Sequence, residues 1–179
     1  MIRKLLATNN DILPLILRVT LGLVIFPHGA QKLLGWFGGY GFSATMQAMT
    51  GMGLPAVIVF LVILAESFGA LGLITGFLTR FSAFGIATVM LGAVVTVHAK
   101  AGFFMNWSGQ QQGEGYEYHL LVIGIALALM IRGGGLASLD GALAKARGIE
   151  LRLPYVDANN VAPASSNNVV RVLIVSGLL

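Results

Sequence analysis

The chain of 179 residues is 56% hydrophobic and only 10% charged, with a mean hydropathy of +0.85. A water-facing surface needs about a quarter of its residues charged, so this composition excludes a soluble domain and describes a polytopic membrane protein. The net charge of +4 is spread singly beside apolar runs, which argues against a nucleic-acid partner, and the chain contains no cysteine. Thiolate nucleophiles, disulfides and Cys-ligated iron–sulfur, zinc or haem centres are thereby excluded within it.

Four apolar runs are long enough to be read as crossing a hydrocarbon core of about 30 Å: residues 12–34, 55–78, 81–99 and, shortest, 116–131. Arg3 and Lys4 precede the first run as they would in a signal peptide, but no small-residue cleavage pattern follows. The first run is therefore expected to be a retained helix. The expected fold is an all-α bundle of four transmembrane helices, with residues 1–142 as the membrane domain.

Between the runs lie two Gly- and aromatic-rich loops, 35–54 with Trp36, Phe37 and Tyr40, and 100–115 with Phe103, Phe104 and Trp107. Asn106-Trp107-Ser108 matches a glycosylation sequon at no more than chance level. Close helix contacts are expected at small residues, namely Gly72 with Gly76, Ala83 with Ala87 and Gly124 with Ala128. After Ile131, Ser138 to Arg147 reads as a short segment on the inner membrane face. Residues 143–179 read as a flexible cytoplasmic tail, in which the apolar stretch 169–175 is too short to span.

Lys and Arg resist translocation, so they orient the bundle. With four alternating spans, Arg3, Lys4, Arg80, Arg132, Lys145, Arg147 and Arg152 fall on one side and only Lys32 and Lys100 on the other. Both termini are expected in the cytoplasm, and both aromatic loops outside.

Ionisable residues within the spans carry the functional information, because each costs about 2.5 to 3.5 kcal/mol at a helix centre. Glu66 lies roughly 16 Å from the outer end of the second run and Arg18 roughly 9 Å from the inner end of the first. Their depths then differ by about 5 Å, which an arginine side chain bridges, so an Arg18–Glu66 ion pair is expected. Arg18, Ile25 and Lys32 repeat every seven residues, with Leu21 and His28 on the same stripe, and that stripe is expected to face the bundle interior. Pro27 removes one helical hydrogen bond beside His28.

His28, Gln31, Lys32, His98, Lys100, Glu117 and His119 all fall in the outer half, including all three histidines of the chain. A polar pocket there is expected from His28, Glu66 and His98, with Lys32 and Glu117 beside them. No ligand-spacing motif supports a metal or haem centre on His28 and His98.

The run Phe26-Pro27-His28-Gly29-Ala30-Gln31-Lys32-Leu33-Leu34-Gly35-Trp36-Phe37-Gly38-Gly39 resembles the first-helix signature of the DoxX family of small bacterial membrane proteins. Glu66 with Gly69, Gly72 through Gly76 with Thr79 and Arg80, His98 before Gly102-Phe103-Phe104, Tyr116-Glu117-Tyr118, and Gly135 through Ser138-Leu139-Asp140 follow the family's order over residues 10–142. The resemblance implies a four-helix protein of the bacterial cytoplasmic membrane. Related proteins are associated with a thiosulfate-oxidising, quinone-reducing complex and with assemblies that handle oxidative and thiol stress.

Three functions are compatible with these residues. One is a membrane subunit or anchor of a redox system that binds a quinone, non-covalently, in the outer pocket or presents an oxidoreductase partner to one. Another is a small-solute transporter or channel working as a homo-oligomer, suggested by the echo between His28 to Lys32 after one span and His98 to Lys100 after another. The third is a structural assembly protein of the bilayer, whose buried charges only set helix register.

Overall fold

A computed structural model describes residues 5–8 and 10–149. The expectations for the tail beyond 149, and for Arg3 and Lys4, lie outside the described residues. Six α-helices have both ends within them: α1 (Ile12–Leu34), α2 (Gly41–Gly51), α3 (Ala56–Thr75), α4 (Thr79–Thr96), α5 (Glu117–Arg132) and α6 (Leu139–Ala146). A 3-10 turn, His98–Ala101, follows α4, and no strand occurs among the described residues.

The ends of these helices follow from local chemistry. The Asp11 carboxylate accepts from the Leu13 backbone N–H at 3.0 Å and starts α1. Gly35, at φ 74°, ends it in the left-handed conformation that a glycine reaches without strain. Ser138 caps α6 by accepting from the Gly141 N–H at 3.1 Å. Helix α1 runs through Pro27, which leaves the carbonyl one turn earlier without its helical donor.

α1 packs on α3, α3 on α4, α4 on α5, and α5 returns to α1. Their shared interior is apolar, built on Leu21 and Ile25 of α1, Ala70 and Leu73 of α3, Ala83 and Ile86 of α4, and Val122 and Ala126 of α5. The outward faces are equally apolar: Leu23, Phe60, Phe68, Phe84, Leu91, Leu121 and Ile131 are exposed. Burial inside and hydrocarbon outside is the pattern of helices solvated by lipid.

α1, α3 and α4 are each long and apolar enough to cross a membrane. α5, with 16 residues, covers about 24 Å and falls short of a full hydrocarbon core on its own. The loop 35–54 holds an unexpected element, α2, which packs against α1 and α3. It carries no charged residue and few strong apolar positions, so its composition resembles a loop.

The small-residue contacts divide. Gly72 meets Ser82 of α4 so closely that a Cβ would strike its hydroxyl. Ala83 is fully buried, whereas Gly124 is exposed with nothing in reach of an added Cβ. The tightest approach between α1 and α3 lies instead at Gly29, where a Cβ would stand 2.6 Å from the Glu66 carbonyl.

Candidate functional site

Polar side chains gather at the two ends of the bundle. At one end Arg18 of α1 is 1% exposed, and its guanidinium is bound entirely to main-chain carbonyls. Nε donates to Gly134 at 2.8 Å, Nη1 to Leu73 at 3.1 Å and Ile74 at 2.6 Å, and Nη2 to Leu136 at 3.1 Å and Ala137 at 2.9 Å. The cation therefore closes the C-terminus of α3 and pins the 134–137 turn to it.

The expected Arg18–Glu66 pair does not form, and the reason is register. Gly29 lies against Glu66 and Ser67, and Gly22 against Ala70 and Ile74, so the antiparallel helices place Arg18 beyond the last turn of α3. Glu66 is roughly 13 Å from that end of its helix. The depth argument set the ends of the two helices level, whereas α1 overhangs α3.

Beside Arg18, the Asp140 carboxylate is 1% exposed and accepts from the N–H groups of Leu78 at 2.7 Å and Thr79 at 2.8 Å, capping α4. Arg80 donates to the carbonyls of Met130 and Ile131 at the end of α5, and to Ala7. Asp140 and Arg80 were not singled out from the sequence as charges that act. Both were named only within motifs or, for Arg80, as an orienting charge. Asp140 stands at the N-terminus of α6, where the dipole favours a carboxylate, whereas Arg80 stands at the N-terminus of α4, where it does not, and reaches the C-terminal carbonyls of α5 only through the tertiary fold.

At the other end Glu66 binds Lys32. Lys32 Nζ lies 2.5 Å from Glu66 Oε2, with side chains 25% and 6% exposed. Ser67 Oγ donates to the Gly29 carbonyl at 3.2 Å and locks the same crossing. His119, only 7% exposed, stacks on His98 with ring centroids 4.1 Å apart and meets the Tyr118 ring edge-on at 5.6 Å. Tyr118 is within electrostatic reach of Glu66, and His119 of both His98 and His28. Two buried atoms here have no hydrogen-bond partner, the Tyr118 hydroxyl and His119 Nδ1.

The expected residues thus meet unequally. Lys32, Glu66, His98 and His119 converge, and Tyr118, named in the sequence only as part of a motif, joins them. His28 is exposed rather than turned inward, because α1 packs more extensively on α3 than on α5 and leaves that flank uncovered. It stays within electrostatic reach of Lys32 and Glu66.

Glu117 faces the adjoining loop, where its carboxylate accepts from the Met105 N–H at 2.9 Å and Trp107 Nε1 at 3.1 Å. Gln31 donates to the Phe37 carbonyl at 3.2 Å, and Lys100 is exposed. The echo between the two basic segments is not structural, since His28 to Lys32 is α-helical and His98 to Lys100 is a 3-10 turn. Among the described residues, no group of three or more His, Asp or Glu side chains is placed to hold a metal ion.

The DoxX family model matches residues 13–99. The chain is similar to CatD of Bacillus subtilis (strain 168), whose name carries a provisional oxidoreductase assignment. Identity is 32% over 115 residues, covering 64% of this chain and 76% of that protein. It is also similar to Inner membrane protein YqjF of Escherichia coli (strain K12), at 30% identity over 136 residues, covering 76% of this chain and 95% of that protein. No solved structure gives a significant match.

Proposed function

The chain belongs to the DoxX family, and from that premise we propose that it is a membrane subunit of a redox system whose buried polar end binds a quinone head group. It is a multi-pass protein of the bacterial inner membrane. In this reading α5 is the fourth span, its short length made up by Arg132 and the glycine turn beyond it, and both termini are cytoplasmic. The Lys32–Glu66 end is then periplasmic and the Arg18 end cytoplasmic.

The observation that supports the quinone reading is the pair of orphaned atoms, Tyr118 Oη and His119 Nδ1, buried beside a carboxylate–ammonium pair. Buried polar atoms without partners are uncommon and costly. Thr79 Oγ1 and Arg80 Nε at the other end are a second such pair, but Tyr118 and His119 alone stand beside an ion pair and an exposed flank through which a ligand could supply the missing bonds. A quinone, when bound, supplies two-electron chemistry and takes up two protons on reduction. The Tyr118 hydroxyl donates to one acceptor oxygen, and the protonated His119 Nδ1 can donate to another. Lys32 and Glu66 offset one another's charge within the membrane. The uncovered flank at His28 is the lipid-side entrance. The electrons come from a partner oxidoreductase, since this chain has no cysteine and none of its side chains is a reversible two-electron reductant.

Native mass spectrometry of the protein in nanodiscs made from its own membrane tests this reading. The wild type is expected to retain quinone in near-stoichiometric amount, and Tyr118→Phe with His119→Phe to lose it while keeping the fold. Retention of phospholipid alone by the wild type overturns the reading and turns attention to solute flux.

A further inference from the structure

His98 and His119 come from different elements, the 3-10 turn after α4 and the first turn of α5, yet their rings stand 4.1 Å apart at a tilt of 41°. The two have unlike surroundings. His119 is buried beside Tyr118, while His98 lines an open cleft of about 390 Å³ together with Lys100, Gln112 and Glu114. His98 Nδ1 lies 2.7 Å from the Glu114 carbonyl oxygen. A carbonyl only accepts, so Nδ1 carries the proton, and Nε2 of the neutral ring is left as a base.

We propose that His98 and His119 form a proton port joining the open cleft to the buried Tyr118 and Glu66. This rests on the reading of that interior as a quinone pocket, which needs a source of protons that lipid cannot supply. A proton taken from the cleft on His98 Nε2 crosses to His119 with rotation of the rings, and each imidazole releases one proton for every one it accepts. The other charged and titratable groups facing the pair are His28 from α1, Tyr118 from α5, and Lys100 and Glu114 from the turn and loop, while Glu66 and Lys32 lie one step further in, against Tyr118 and His28.

The chain has three histidines, so 15N-histidine labelling gives three assignable side chains in nanodiscs. The port predicts that His98→Gln slows exchange of the His119 ring N–H with bulk water by about tenfold or more. Ala101→Leu narrows the cleft without altering either imidazole. It is expected to slow the same exchange and to leave binding of added short-chain ubiquinone unchanged.

His119 exchange unaffected by both variants overturns the port. Loss of ubiquinone binding in Ala101→Leu also overturns it, because the cleft would then be part of the pocket. A wild type that binds no ubiquinone but shows exchange that depends on His98 and on the cleft retains the port and removes the quinone reading.

Discussion

An arginine has five N–H donors, and in Arg18 all five end on main-chain carbonyls. Its role is set by geometry more than charge, since a planar fork reaches the end of α3 and the 134–137 turn together and an ammonium cannot. Arg18→Lys is therefore expected to destabilise nearly as much as Arg18→Leu, by more than about 3 kcal/mol, in thermal unfolding in nanodiscs. Adding Glu66→Gln to Arg18→Leu should not rescue it, because the two residues do not touch and their effects should add. Lys32 and Glu66 should behave oppositely. Lys32→Met and Glu66→Leu each strand a mostly buried charge and cost about 1 to 3 kcal/mol, whereas the double variant should recover most of that loss. A double variant that is stable but retains no quinone would separate the pair's work on the ligand from its work on the fold.

At the scale of elements, the helices meet through caps and close approaches. Asp140 belongs to α6 but caps α4, so one carboxylate couples the short terminal helix to a span. Asp140→Asn keeps the shape but replaces one acceptor oxygen with a donor and removes the charge from a helix N-terminus, at a cost of about 1 to 2 kcal/mol. Proteolysis near Lys145 should then rise as α6 loosens, which limited trypsin digestion reads directly. Gly29 sets the α1–α3 distance, and Gly29→Ala drives a methyl into the Glu66 backbone. The helices must separate to admit it. Lys32 should then lose Glu66, and Gly29→Ala should show the same stability loss as Lys32→Met, with no additivity between them.

At the scale of the molecule, the apolar outer faces fit a bilayer, and the proposed orientation rests on the excess of Lys and Arg at the Arg18 end over the two lysines at the other. The chain has no cysteine, so single cysteines report topology without background. A cysteine at Ser108 should be labelled by a membrane-impermeant maleimide in intact spheroplasts, and one at Arg147 only after lysis. The reverse pattern would invert the sidedness of the quinone pocket and its port.

What the sequence by itself determined was where the long helices run. α1 spans the residues expected of it, and α3, α4 and α5 begin and end within three residues of their apolar runs, because hydrophobic length, and the glycines that stop α1, α3 and α5, are local properties. The gathering of polar residues at one end was also legible, since alternating helices put His28, Lys32, His98 and His119 at a common level. Tertiary structure decided the partners. Depth along a helix cannot reveal the stagger between two helices, and here the glycine approach at Gly29 lowers Glu66 to Lys32 and leaves Arg18 to the carbonyls past the end of α3. Rotation about the helix axis decided the rest. It turned His28 outward and His119 inward, a choice made by which neighbouring helix packs more closely and by nothing in the spacing of the residues themselves.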